Sequence, residues 1–323
     1  MRLSIIIVNT NESKVLRPCL TSIFNETKGL DFEVIVIDNA SADDSLMMLA
    51  NHFAQVKVIN NSENLGFAAA NNRGILEARG DYILLLNPDT IVRDRAIQKT
   101  LAFMDLHPQV GIAGCKLLFP DGSLQRSARS FPTLWNVFCE VSFLYRLFPR
   151  SKLFGKYYLS YFDYDLEKEV DWLCGAFFMI RRGTYEKIGV LDEQFYMYTE
   201  EVDYCYRAKL AGDETWFVPE AEIVHFFGGV NATSRRVVLW TNASQILYFQ
   251  KYFRGVQLYT LIFLKYLGIA VRIFVYVIAG LFLLNKKMFI KSYYALFALY
   301  YLCVDRWRYR HNFIGKVIPW KPV

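Results

Sequence analysis

One pattern limits this chain more than any other. Five runs rich in aliphatic and β-branched residues, LSIIIVNT, FEVIVIDN, VKVIN, YILLLN and GIAGCKLLF, alternate with helical patterns at roughly 14–27, 43–54, 67–79 and 94–106. Strands that are apolar along their whole length are buried on both faces, and short strands separated by helices pair in parallel through crossovers. The predicted fold is therefore α/β, with a mostly parallel sheet covered on both sides. Polar residues gather where the runs stop: Asn9-Thr10-Asn11, Asp38-Asn39, Asn60-Asn61 and Asn87-Pro88-Asp89. Ligands of open α/β sheets bind outside the carboxyl ends of the strands, so these four clusters are expected to face one crevice.

Composition narrows the partners. At 323 residues, 54% hydrophobic and 21% charged, the chain can bury one large core or two modest ones and is not a disordered tail. Its net charge is +6, yet the basic residues form no continuous tract in the first half and crowd the last third beside apolar runs. An anionic membrane surface is the expected partner, and nucleic acid is not. The six cysteines lack C-x-x-C spacing, which argues against a zinc knuckle or a disulfide framework and for buried thiols in a reducing compartment. The apolar run at the N-terminus is about five residues, too short for a secretory signal core, and reads as a first strand on a chain that stays cytoplasmic.

Residues 120–168 are irregular and predict loops and short helices. A sheet-forming run, VDWLCGAFFMIRR, follows; then Thr199 is placed to cap a helix from Glu200 that Gly212 ends, and TWFVPEAEIVHFFGG reads as a strand pair interrupted by Pro219. After residue 240 the composition changes. VQLYTLIFLKYLGIAVRIFVYVIAGLFLL is long enough to span a bilayer, but Lys265 and Arg272 fall seven residues apart on one helical face. A second aromatic stretch, MFIKSYYALFALYYLCV, follows an NKK junction. A cationic stripe bordered by Tyr and Trp suits helices lying in the membrane interface better than a spanning helix or a soluble core.

Asp89 ends a buried strand, and a carboxylate there is costly unless paired; a divalent cation held against a diphosphate would supply the missing charge. The plainer alternative is an Asx-turn or a cap on the helix beginning near Asp94. Asp38 and Asn39 could accept from a pyrimidine N–H and a ribose hydroxyl, or simply make a turn. In NLGFAAANNRG, Asn64 and Gly66 mark a tight turn, and Asn72 and Arg73 on the following helix could reach a ligand. The dinucleotide fingerprint G-x-G-x-x-G is absent.

Taken in order, SIIIVNTNE, VIVIDNASAD, NLGFAAANNRGI, YILLLNPDT, DWLCGAFFMIRR, FYMYTEEVDYCYRAKLAG and FVPEAEIVHFFGG resemble the inverting, nucleotide-sugar-dependent glycosyltransferases of the GT-A fold, in particular their bacterial rhamnosyltransferase-like branch. The resemblance runs over about residues 3–230. It implies a GT-A domain over 1–240, with a nucleotide-sugar half (1–115) and an acceptor half (116–240), followed by a helical membrane-association region over 241–323.

The resemblance also implies roles. The donor is a nucleoside-diphosphate sugar held by Asn9, Thr10, Asn11, Asp38, Asn39, Asn64, Gly66, Asn72, Arg73, Asn87, Asp89 and Arg235, the last or Arg236 closing over the diphosphate. Asn87-Pro88-Asp89 stands where the family has a DxD motif and keeps only its last carboxylate. The Mg²⁺ or Mn²⁺ cofactor then needs another ligand, and His225 of a His-x-x-Gly turn with Gly228 is the candidate; otherwise His225 is a core histidine. Glu201 is expected to be the catalytic base, with Glu200 orienting it or touching the acceptor together with Trp172, Gly175 and Ala176. Carboxylates at a helix start are also ordinary dipole partners. The implied reaction moves L-rhamnose from dTDP-rhamnose to a polyprenyl-diphosphate-linked saccharide at the cytoplasmic face of the bacterial inner membrane. The chain would be peripheral or monotopic, and a homo-oligomer is compatible with the sequence. A UDP-sugar donor and a catalytically inactive nucleotide-sugar-binding module are the alternatives.

Overall fold

The computed structural model describes residues 1–226 and 234–304. In chain order it contains β1 (Leu3–Asn9), α1 (Ser13–Glu26), β2 (Phe32–Asp38), α2 (Ser45–His52), β3 (Lys57–Asn60), α3 (Phe67–Glu77), β4 (Tyr82–Leu86), β5 (Thr90–Val92), α4 (Ala96–Leu106) and β6 (Val110–Leu118). Short elements follow: β7 (Leu124–Gln125), β8 (Ala128–Arg129), α5 (Leu134–Val141), α6 (Leu144–Leu147), β9 (Lys168–Glu169) and β10 (Trp172–Leu173). The remainder is β11 (Phe177–Arg181), α7 (Arg182–Ile188), α8 (Glu200–Leu210), β12 (Glu214–His225), α9 (Arg235–Tyr252), α10 (Gly255–Leu283) and α11 (Lys286–Val304). The chain divides into two compact units, Met1–Ser130 with Phe162–Glu193 and Glu200–Gly229, and Phe131–Tyr161 with Gln194–Thr199 and Val230–Val323.

The first unit is built on a ten-stranded sheet of order β3-β2-β1-β4-β11-β6-β12-β5, with β7 on β6 and β9 on β12. It is a GT-A-like α/β fold. The predicted parallel half is present, since β1 pairs in parallel with both β2 and β4, and β2 with β3. Antiparallel β11 then joins β4 to β6. The apolar runs behave as their composition dictates: Leu3, Ile5, Ile6 and Ile7 of β1 are fully buried, each contributing about 1.5–3 kcal/mol relative to exposure. Gly80 permits the close approach that starts β4, because a Cβ there would lie 2.4 Å from the Ser4 nitrogen.

Two readings of this unit need correction. The run around Pro219 is one strand, β12, and its ladder with parallel β6 skips between Val218 and Glu222. Proline has no N–H to give to a ladder, so the chain bulges past it and continues. VDWLCGAFFMIRR is split instead: β10 pairs with β8 in a separate two-stranded sheet, while β11 enters the main sheet. The Gly228 turn lies outside the described residues.

In the second unit, α9, α10 and α11 close around Leu239, Trp240, Ala243, Ile269, Ala295, Ala298 and Leu302. Ser234 caps α9 by accepting from the Val237 amide at 3.3 Å. Helix α10 is long and apolar enough to cross a membrane, and only 17% of its most apolar window is buried. The expected cationic stripe does not face outward. Lys265 is buried, and Arg272 donates to Glu140 of α5 at 2.9 Å, so that face of α10 is committed to protein. An ion pair inside the unit satisfies the Arg272 charge where bulk lipid could not.

Candidate active site

At the carboxyl ends of β1 and β2, the predicted donor-binding residues form one hydrogen-bonded rim. Asn9 donates to Asp38 Oδ1 and to Ser41 Oγ, both at 3.0 Å, while Asp38 Oδ2 accepts from the Ser41 amide at 2.9 Å. The Asn11 side chain takes the Ala42 amide at 2.6 Å, Asn11 itself sits at φ 56°, and Thr10 lies half-buried between Asn9 and Asn11. Asn39 donates to Asn64 at 2.8 Å and accepts from Asn61 at 2.9 Å and the Leu65 amide at 3.0 Å. Gly66 stands before α3 at φ 85°, a conformation that favours glycine. These bonds fix three loops around one edge of the sheet. Asn72 is turned elsewhere: it is buried, and its amide bonds both the carbonyl and the N–H of Leu191 at 2.9 Å. Arg73 donates to Asn61.

The centre of the site lies where β4 stops. Antiparallel β12 and β5 set His225 opposite Thr90, and the Phe226 amide donates to the Asp89 carbonyl at 2.9 Å. That register carries the His225 ring to the Asn87-Pro88-Asp89 turn, with Nε2 3.3 Å from Asp89 Oδ1 and 3.5 Å from Asn87 Nδ2. Both side chains are buried. On the other edge of the ring, Nδ1 lies 2.7 Å from Gln125 Oε1, an acceptor, and the neutral tautomer that donates there has its Nε2 lone pair on the carboxylate side. A lone pair and a carboxylate aimed at one point attract a cation, and a second ring nitrogen bonded to an oxygen is the usual support of a ligating histidine. The donor set therefore fits a divalent ion. No group of three His, Cys, Asp or Glu side chains able to hold an ion occurs among the described residues, so an ion there would take its other ligands from diphosphate oxygens and water.

Glu12, which sequence reasoning passed over, belongs to the same crevice. Burial, then the charges of Asp89 and Asp43, push its carboxyl up to about 7. The only sequence signal was its place immediately after the polar end of β1.

β11 runs antiparallel to β4 with Phe177 opposite Leu86, so the Asn87 amide donates to the Ala176 carbonyl at 3.1 Å. Gly175 lies against the Phe67 ring, and the Trp172 indole donates to the Ser130 carbonyl at 2.9 Å. The Cys174 thiol, between them, is pushed up to about 11 by burial first, with the charges of Glu201 and Asp89 adding to it. One thiol thus feels both the candidate base and the candidate metal ligand.

Glu200 and Glu201 open α8, as predicted. The preceding Tyr198 and Thr199 have φ of 67° and 74°, so Thr199 does not adopt the extended conformation of an ordinary cap. Positive φ at a β-branched residue is strained, and such strain recurs at functional sites. Burial and the neighbouring charge of Glu201 hold the Glu200 carboxyl well above the usual carboxylate range. That direction favours the protonated form of Glu200 beside Glu201. Further along the helix, buried Asp203 accepts from Arg207 at 2.8 Å, and Arg207 also donates to the carbonyls of Ile188 and Val190 at 2.6 and 2.8 Å. These bonds pin α8 to the chain after α7. Arg235 lies in the second unit, its guanidinium 5.1 Å from the centre of the Phe297 ring.

Comparison with known proteins identifies the family and the fold. Residues 4–189 match the family model described as glycosyl transferase family 2. An N-acetylglucosaminyl-diphospho-decaprenol L-rhamnosyltransferase of Mycobacterium tuberculosis is 30% identical over 203 residues, which are 59% of this chain and 66% of that protein. The rhamnosyltransferase WbbL of Escherichia coli is 26% identical over 209 residues, 60% of this chain and 73% of that one. The matched stretch thus spans about two thirds of the mycobacterial relative. Among solved structures, a mannosyltransferase from Pyrobaculum calidifontis, in complex with GDP-Man and Mn²⁺, shares the fold with a TM-score of 0.58 at 14% identity, over 94% of this chain and 88% of that one. The family match covers more than half of the chain, from β1 through α7 and including Asp89, and establishes that the chain belongs to glycosyl transferase family 2.

Proposed function

We propose that this glycosyltransferase moves L-rhamnose from dTDP-rhamnose to a polyprenyl-diphosphate-linked saccharide, with inversion at the anomeric carbon. The observation that carries the reading is the meeting of Asp89 and His225 at 3.3 Å beside a strand-end rim of amides and carboxylates. The names of the mycobacterial and E. coli relatives support rhamnose as the sugar and, for the former, a polyprenyl-linked acceptor. Residues 1–115 would then hold the donor, 116–240 the acceptor, and the apolar helices from 241 onward would keep the enzyme at the inner leaflet where such lipids are presented.

In the reaction, the acceptor hydroxyl attacks the anomeric carbon as the Glu201 carboxylate takes its proton. The bond from that carbon to the diphosphate oxygen breaks, and its electron pair leaves with the nucleoside diphosphate. Glu200, kept protonated, donates to Glu201 and so holds it ionised and oriented. Asp89 and His225 would hold a Mg²⁺ or Mn²⁺ ion, which when bound stabilises negative charge on the departing diphosphate. The rim of Asn9, Asp38 and Asn39 positions the nucleoside.

The test is transfer to polyprenyl-diphosphate N-acetylglucosamine from a panel of dTDP- and UDP-sugars with Mn²⁺. Rhamnosylated product from dTDP-rhamnose alone agrees with the proposal. Transfer only from a UDP-sugar refutes the donor assignment, and donor binding without product refutes catalysis.

A further inference from the structure

The second unit contains a surface that the chemistry above does not use. Between residues 131 and 161 the chain has four basic residues, Arg146, Arg150, Lys152 and Lys156, and a single acid, Glu140. Glu140 faces inward to Arg272, so the exposed charge of the segment is wholly positive. Arg150, Lys152 and Lys156 make no ion pair among the described residues.

Large apolar side chains stand among these cations. Leu147 is 68% exposed, Leu153 56%, Phe148 50% and Phe138 42%. They are not on a loose loop. Trp135 donates from its indole to the Leu153 carbonyl at 3.0 Å, and its ring packs on Phe138 and Phe154 at 5.7 and 6.0 Å. Phe148 meets Phe154 at 5.2 Å, and Tyr145 stacks on Tyr158 at 4.6 Å. The segment is thus a fixed aromatic platform, and it shares a unit with α10 through Val141, which lies against Gly268, and Glu140.

We propose that residues 131–161 form a membrane-docking surface that reads anionic lipid headgroups. Rings and leucines would enter the headgroup boundary while the four cations meet lipid phosphates. The inference rests on the membrane reading of α10 and extends it: α10 supplies apolar affinity, and this segment supplies selectivity for negative charge. Exposed apolar side chains interleaved in sequence with basic groups, with no exposed acid between residues 131 and 161, match an anionic bilayer in both chemistry and sign.

Flotation of the full chain with phosphatidylcholine vesicles, with and without phosphatidylglycerol, tests it. In the triple variant Arg150→Gln, Lys152→Gln, Lys156→Gln, affinity for the phosphatidylglycerol vesicles is expected to fall about 10- to 100-fold, with binding to neutral vesicles unchanged. Leu147→Ser with Phe148→Ser should weaken binding to both. Phe274→Ser with Phe282→Ser on α10 tests the underlying reading separately, and an unchanged melting temperature certifies each fold. Wild-type-like anionic binding by the triple variant, with loss in the α10 variant, overturns the proposal and leaves the α10 reading standing. Loss in the triple variant alone has the reverse meaning, and a wild-type chain that floats with neither vesicle overturns both.

Discussion

His225 gives its Nδ1 proton to Gln125 at 2.7 Å, and that bond decides which ring nitrogen looks toward Asp89. Substituting Gln125 with leucine removes the acceptor and frees the tautomer without touching either proposed ion ligand. The Mn²⁺ concentration for half-maximal transfer is expected to rise about 10- to 100-fold, the usual cost of losing a ligand's supporting bond. An unchanged metal dependence would place the histidine outside the ion's coordination.

The two glutamates at the start of α8 should separate cleanly. Glu201→Gln removes the proton acceptor and is expected to lower kcat about 10²- to 10⁴-fold. Glu200→Gln keeps the shape and the donor of a protonated carboxyl, the form that burial favours at Glu200, and should cost less than about tenfold. The opposite ranking in a steady-state assay would exchange their roles.

Because no third His, Cys, Asp or Glu side chain joins Asp89 and His225 among the described residues, the proposed ion and nucleotide would complete each other's binding. Calorimetry should show weak Mn²⁺ binding alone and at least tenfold tighter binding with dTDP present. Linkage requires the same factor for dTDP affinity with and without the ion.

Much of this site follows from residue patterns, and some of it does not. β1, β2 and β4 were legible because aliphatic runs that end in Asn or Asp specify buried strands with polar tips. Asp89 could be singled out for the same reason. His225 could be joined to it only through family resemblance, since the contact depends on β5, three residues long, and Gln125 sits in a strand of two. Elements that short carry no periodicity. The Lys265–Arg272 spacing correctly put both on one face of α10, but periodicity does not say what a face meets; Glu140, far away in sequence, answered that. Helix α9 escaped notice because apolar and polar residues are spread around it in RRVVLWTNASQILYFQKY.

Glu12 gives the fold a pH dependence in the absence of metal. Its folded value of about 7 exceeds the ordinary 4.5, so the folded state binds this proton more tightly than the unfolded one. The associated stability is fully present below pH 4.5 and is lost as pH rises to about 7. Glu12→Gln should therefore stabilise the EDTA-treated protein above neutrality by on the order of 2–3 kcal/mol. It should also flatten denaturation midpoints across that window. A midpoint curve identical to wild type would mean that Glu12 is neither buried in the fold nor held near Asp89 and Asp43.

The most direct test is electron spin echo modulation of Mn²⁺ bound to the protein with dTDP. Coordination of the ion by His225 predicts modulation from an imidazole nitrogen in the wild type, lost in His225→Gln while the dTDP-bound ion is weakened in Asp89→Asn. Tight Mn²⁺ and dTDP binding with no nitrogen modulation in the wild type would contradict it.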